Sequence, residues 1–161
     1  MIRAVLFDLD GTLLDTSAIQ SYRTARKWKQ CVVRATNTKL FDGISVLLEE
    51  LVRHKIKIGI VTTSVSYYAD NLCRNHSVPL DTLIAYHDAR PKPAPDSFLL
   101  ALEKLGVSVA DALGVSDDLP DSVALHAAGV KSFGAGWNPA LNPEAKWDGL
   151  LKTPADLLSL L

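Results

Sequence analysis

Cysteine is scarce in this chain of 161 residues: Cys31 and Cys73 stand far apart and make no disulfide framework and no metal-ligand spacing. They read as buried thiols of a reducing compartment. No apolar run approaches the length that spans a bilayer. Residues 1–7 run into Asp8 too soon for a secretory leader, so a cytoplasmic protein with no membrane partner is expected. An excess of either charge is also absent, with 17 Lys and Arg against 18 Asp and Glu. That balance disfavours nucleic acid or acidic lipid as a partner of the whole molecule. His54, His76, His87 and His126 show no spacing that suggests metal ligation and read as surface or packing residues. The length fits one domain with a real core.

What is present is concentrated at the front. Val5-Leu6-Phe7 is apolar, Asp8 ends it, Asp10 follows two residues later, and Gly11-Thr12 turns the chain. Two carboxylates this close repel each other and are costly to bury without a cation or proton between them. An Asp-Gly turn after a strand accounts for Asp10-Gly11, but not for Asp8 at the end of an apolar strand.

Further along, strand and helix patterns alternate. Strands are predicted at Ala4–Asp8, Ile56–Val61, Thr82–Tyr86, Ala112–Val115 and Val130–Phe133. Helices are predicted at Gly43–His54, Tyr67–Asn75, Pro95–Leu105 and Ser122–Ala128, with a last one after the Thr153-Pro154 start. The Pro91-Lys92-Pro93-Ala94-Pro95 stretch excludes helix and central strand. The alternation argues for an α/β fold, a three-layer Rossmann-like parallel sheet with helices on both faces. Ligands of such sheets bind where the strands' carboxyl ends diverge. The polar residues after successive strands are Asp8 and Asp10, then Thr62, Thr63 and Ser64, then Lys92, then Asp117, Asp118 and Asp121. Carboxylates, hydroxyls and one ammonium on a common rim are what phosphoryl transfer to a carboxylate nucleophile needs.

Four motifs in order, Asp8-x-Asp10-Gly11-Thr12, Thr62, Lys92, and Asp117 with Asp118 or Asp121, make the chain resemble the haloacid-dehalogenase-like superfamily from Ile2 to about Asn138. The resemblance implies a phosphatase dependent on Mg2+. Asp8 would be the nucleophile, and Asp10 the acid that protonates the leaving oxygen and then the base that activates water. Thr62 and Lys92 would bind the phosphoryl group, with Gly11, Thr12, Thr63 and Arg90 as further substrate contacts. The metal site would draw on Asp8, Asp10, Asp117, Asp118 and Asp121, with the choice between Asp118 and Asp121 open. The substrate would be a phosphorylated small molecule or phosphoprotein. Receiver domains carry similar groups, but there the lysine follows the last strand, whereas Lys92 precedes Asp117.

Taken singly, Thr62 reads equally as a helix cap, Lys92 and Arg90 as solvated loop cations, and Asp117–Asp121 as an acidic turn starting a helix. Ser116 stands where the family usually has Gly, and would cost metal affinity if that backbone needed a positive φ. Trp137-Asn138 reads as loop packing or a substrate contact. Only about residues 15–40 are left for a cap, enough for a flap hairpin and one short helix. The expected organisation is therefore a single catalytic domain over 1–161 with little or no cap. A sugar-phosphate mutase and a catalytically weak binding protein of the same fold are the alternatives. Residues 17–39 hold Arg23, Arg26, Lys27, Lys29, Arg34 and Lys39 and no acid, the expected make-up of a lid that attracts anionic substrates.

Overall fold

The computed structural model describes residues 1–161. β1 (Ala4–Phe7) is apolar at every position and wholly buried. A strand without a polar face must be covered on both sides, and β1 lies inside a six-stranded sheet. A small antiparallel pair follows, β2 (Leu14–Asp15) with β3 (Lys39–Leu40). The sheet is completed by β4 (Lys57–Val61), β5 (Thr82–Ile84), β6 (Ala112–Ser116), β7 (Lys131–Ala135) and β8 (Gly149–Leu151). Its order is β5-β4-β1-β6-β7-β8, and every pairing is parallel. The chain works outward from β1 to β5, crosses back, and works outward again to β8. The connections therefore diverge at the carboxyl end of β1, which is where such sheets bind ligands.

Helices α1 (Gln20–Thr24) and α2 (Trp28–Val33) lie between β2 and β3. The larger helices are α3 (Ile44–Arg53), α4 (Ser66–Asn75), α5 (Asp96–Leu105) and α6 (Leu119–Ala128). Alternation along β1 divides the core between them. Val5 and Phe7 pack with Leu47, Leu48 and Leu51 of α3 and Tyr68 and Leu72 of α4. Ala4 and Leu6 pack with Phe98 and Leu102 of α5 and Leu125 of α6. Pro95 precedes α5, and Gly106, at φ +64°, ends it in the left-handed conformation that glycine adopts most readily.

The structure departs from expectation in four places. The insert forms two short helices rather than one. After α1 the backbone turns left-handed at Arg26, φ +54°. Arg26 N–H donates to the Arg23 carbonyl at 2.9 Å and Lys27 N–H to the Tyr22 carbonyl at 2.8 Å. This pair of bonds closes a helix end. α6 starts at Leu119 rather than Ser122, because the Asp118 carboxylate caps Leu119 N–H and Pro120 sits in the first turn. The final helix is 3₁₀, Pro154–Leu160, held by reciprocal bonds between Thr153 and Asp156. β8 was not foreseen. No helix is long and apolar enough to cross a membrane.

Candidate active site

Asp8 directly follows β1, Thr62 follows β4, and Asp117 follows β6. Three neighbouring parallel strands thus end side by side in polar residues. They line a cleft of about 380 Å³ together with Asp10, Gly11, Thr63 and Asp121. Lys92 reaches the same point from the loop after β5. Its buried Nζ donates to Asp8 Oδ1 at 3.0 Å, Asp121 Oδ2 at 2.6 Å and the Val61 carbonyl at 2.7 Å. An ammonium has three N–H donors, and all three are used.

The electrostatics follow from burial. Burial pushes the Asp8 and Asp121 carboxyls up from their ordinary range, and Lys92 opposes this in both. Burial pulls Lys92 down, but Asp121 and Asp8 together outweigh it, so the ammonium is held charged. Asp117 is pushed up to about 6 by burial, with the Thr12 hydroxyl opposing. Buried carboxylates thus outnumber the one buried ammonium among them.

The turn after β1 builds the other wall. Gly11 has φ +81°, and a Cβ there would collide with Asp117 Oδ2. Thr12 is fully buried and donates from Oγ1 to Asp117 Oδ1 at 2.9 Å. Thr12 therefore orients Asp117 and does not line the cleft. Asn138 Nδ2 donates to the Gly11 carbonyl at 2.7 Å and to Asp117 Oδ2 at 3.2 Å. Trp137 Nε1 donates to the Thr12 carbonyl at 2.8 Å. Both residues brace the first turn, and Asn138 also lines the cleft. Ser116 lies within β6 and is not among the residues with positive φ, so serine there carries no backbone cost.

Asp10 is held by Ser64, expected on this rim, by Arg23, expected in the insert, and by Tyr68, which the sequence reading missed. Tyr68 OH donates to Oδ1 at 2.6 Å and Ser64 Oγ to Oδ2 at 3.1 Å. Arg23 Nε stands 3.1 Å from Oδ1, although its N–H is not aimed at that oxygen. Tyr68 carried one faint signal, a tyrosine on the core face of α4 four residues after Ser64.

The hard oxygen donors and the carboxylate excess fit a divalent cation, but not through all five aspartates. No three acidic, histidine or cysteine side chains are gathered as a metal cluster. Asp118 is exposed and caps α6, Asp121 is turned to Lys92, and the Asp10 carboxylate faces Tyr68. Asp8 and Asp117 remain, and Mg2+ is commonly held by one or two carboxylates with waters and substrate phosphate. Arg90 lies outside the cleft lining, paired with Asp96 at 2.8 Å on the exposed start of α5.

A parallel α/β sheet with paired aspartates after its central strand, and a buried lysine between two carboxylates, places the chain in the Rossmann-like α/β class. The family model of haloacid dehalogenase-like hydrolases matches residues 18–135, and the chain belongs to that family. It is 27% identical to a phosphoglycolate phosphatase of Xanthomonas campestris pv. campestris, over 96% of this chain and 94% of the relative. That alignment runs over 213 residues, more than the 161 here, so the relative carries insertions that this chain lacks. The chain is 28% identical to the pyrophosphatase PpaX of Bacillus velezensis, over 84% of each. Among solved structures, CbbY from Rhodobacter sphaeroides in complex with phosphate superposes with a TM-score of 0.83 at 25% identity, over 98% of this chain and 96% of that one.

Proposed function

We propose that the chain is a Mg2+-dependent phosphomonoesterase working through an aspartyl-phosphate on Asp8, within a single catalytic domain over 1–161. The observation that carries this reading is the convergence of Asp8, Thr62, Lys92 and Asp117 from four segments of chain onto one rim. Asp8 Oδ attacks phosphorus and the bond to the leaving oxygen breaks. Lys92 stays charged beside Asp8 and offsets the repulsion between carboxylate and phosphoryl oxygens. The Thr62 and Thr63 hydroxyls donate to the remaining phosphoryl oxygens. Asp10 gives its proton to the leaving oxygen and takes one back from the water that cleaves the acyl phosphate, help typically worth about 10²–10⁴-fold. Asp8, Asp117 and the Asp10 carbonyl would hold Mg2+, which supplies the positive charge that two meeting anions require.

The span 15–40 supports hydrolysis over internal phosphoryl transfer. It holds two helices of five and six residues between two-residue strands. So small a cover does not seal the phospho-enzyme from water, as a mutase must. Phosphorylated small molecules fit the cleft as substrates. The test is phosphate release from a panel of phosphorylated metabolites, nucleotides and phosphopeptides, with Mg2+ and with EDTA. Release from small-molecule phosphates that EDTA abolishes is the expected result. A folded protein that releases none, with Mg2+ at millimolar excess, would reject the reading in favour of a binding role.

A further inference from the structure

A second cleft, of about 420 Å³, opens beside the first. Gln20, Arg23 and Thr63 line both. Its other walls include Arg26 and Trp28 from the insert, Tyr86 after β5, and Lys92. No acidic residue lines it. Arg26 is exposed and has no carboxylate partner; its guanidinium lies over the Tyr86 ring, 4.8 Å from the centroid. Arg23 spends Nη1 on Gln20 Oε1 at 2.8 Å and Thr16 Oγ1 at 3.3 Å, and its Nη2 has no hydrogen-bond partner.

The direction of the reaction links the two clefts. The phosphoryl group belongs at Asp8, Thr62 and Lys92. The alcohol half must leave past Asp10, which protonates it. Arg23 stands on Asp10, at 3.1 Å, and the second cleft begins at Arg23. Guanidinium forks match the oxygen pairs of carboxylates and phosphates. Resting on the phosphatase reading above, we propose that the second cleft is the subsite for an anionic group on the alcohol half of the substrate, bound by Arg23 and Arg26. The chain then acts on small phosphate monoesters that carry a second anion, a carboxylate or a phosphate, in preference to phosphates of uncharged alcohols. Trp28 and Tyr86 give the subsite apolar sides and limit what fits between the charges.

Arg26 offers a clean substitution. Its left-handed backbone is an ordinary helix end, repeated at Lys55 (φ +58°) and Ser77 (φ +53°), and Asn adopts it readily. Arg26→Asn therefore removes the guanidinium and leaves the fold. The experiment compares kcat/KM with Mg2+ for glycerol 1-phosphate, 2-phosphoglycolate and propanediol bisphosphate, in the native chain and in Arg26→Asn. The native chain is expected to favour at least one ester with a second anionic group by about tenfold or more, and Arg26→Asn to lose about that factor. The carboxylate and phosphate arms identify which anion is taken. Equal kcat/KM for all three, or a preference unchanged in Arg26→Asn, overturns the subsite. If none of the three is hydrolysed, the wider panel decides the phosphatase reading, and calorimetric titration of the same compounds into Asp8→Asn decides the subsite by itself. Tighter binding of an ester with a second anionic group, lost when Arg26→Asn is added, supports it; equal binding overturns it.

Discussion

Lys92 sits 3.0 Å from Asp8 and 2.6 Å from Asp121, with its third donor on the Val61 carbonyl at 2.7 Å. Removing it strands two buried carboxylates. Breaking a buried pair this way typically costs on the order of 3–5 kcal/mol. Lys92→Ala is therefore expected to lose both turnover and several kcal/mol of stability, read by phosphate release and urea denaturation. Lys92→Arg keeps the charge, but a planar fork cannot serve three diverging acceptors, so it recovers only part of each. Native kinetics and stability in Lys92→Ala would return Lys92 to a solvated loop cation. At this scale the sequence was informative about which residues follow each strand and silent about where they point. Asp118 and Asp121 both follow β6. The phase of α6 decides between them: the helix cap turns Asp118 toward Leu119 N–H, and three residues on Asp121 faces inward to Lys92.

Among the elements, the insert between β2 and β3 was the least legible. Tyr22, Ala25, Trp28 and Val32 fall at helical spacing, but the helix end at Arg26 breaks the run. Nothing in the sequence announces a left-handed arginine. The insert is tied to α4 and to the residue that caps it. Trp28 packs on Tyr68, with ring centroids 5.2 Å apart. Beyond α2, Thr38 Oγ1 lies 2.8 Å from His76 Nε2. Burial lowers the His76 pKa from its usual 6.5, and a backbone contact at Ala35 opposes this only in part. The unfolded chain then takes up a proton near pH 6.5 that the folded chain resists. Stability is full above 6.5 and is lost as pH falls through 6.5 toward the lowered folded value. The urea midpoint should therefore drop more between pH 7.5 and pH 5 in the native chain than in His76→Gln, since other groups titrate alike in both. Equal drops would remove His76 from the account.

Across the whole molecule, one sheet does the positioning. β1, β4 and β6 were legible because buried parallel strands read as unbroken apolar runs that stop at polar residues. β8 was not, since Gly149-Leu150-Leu151 is too short to show a pattern and is defined only by its pairing with β7. The near-zero net charge also hides a division. Residues 17–39 carry six cations and no acid, and the remainder is correspondingly acidic. The basic part lies over the rim through Arg23, and the acidic part supplies the rim itself. The proposed catalysis depends on Asp8 forming a covalent bond to phosphorus. The direct measurement is acid quenching of the chain during steady turnover with Mg2+ and a hydrolysed phosphate ester, followed by peptide mass analysis. The account predicts a phosphoryl adduct on the peptide bearing Asp8, removed by neutral hydroxylamine and absent from a folded, inactive Asp8→Asn variant. Steady hydrolysis with no adduct, and native turnover in Asp8→Asn, would contradict it.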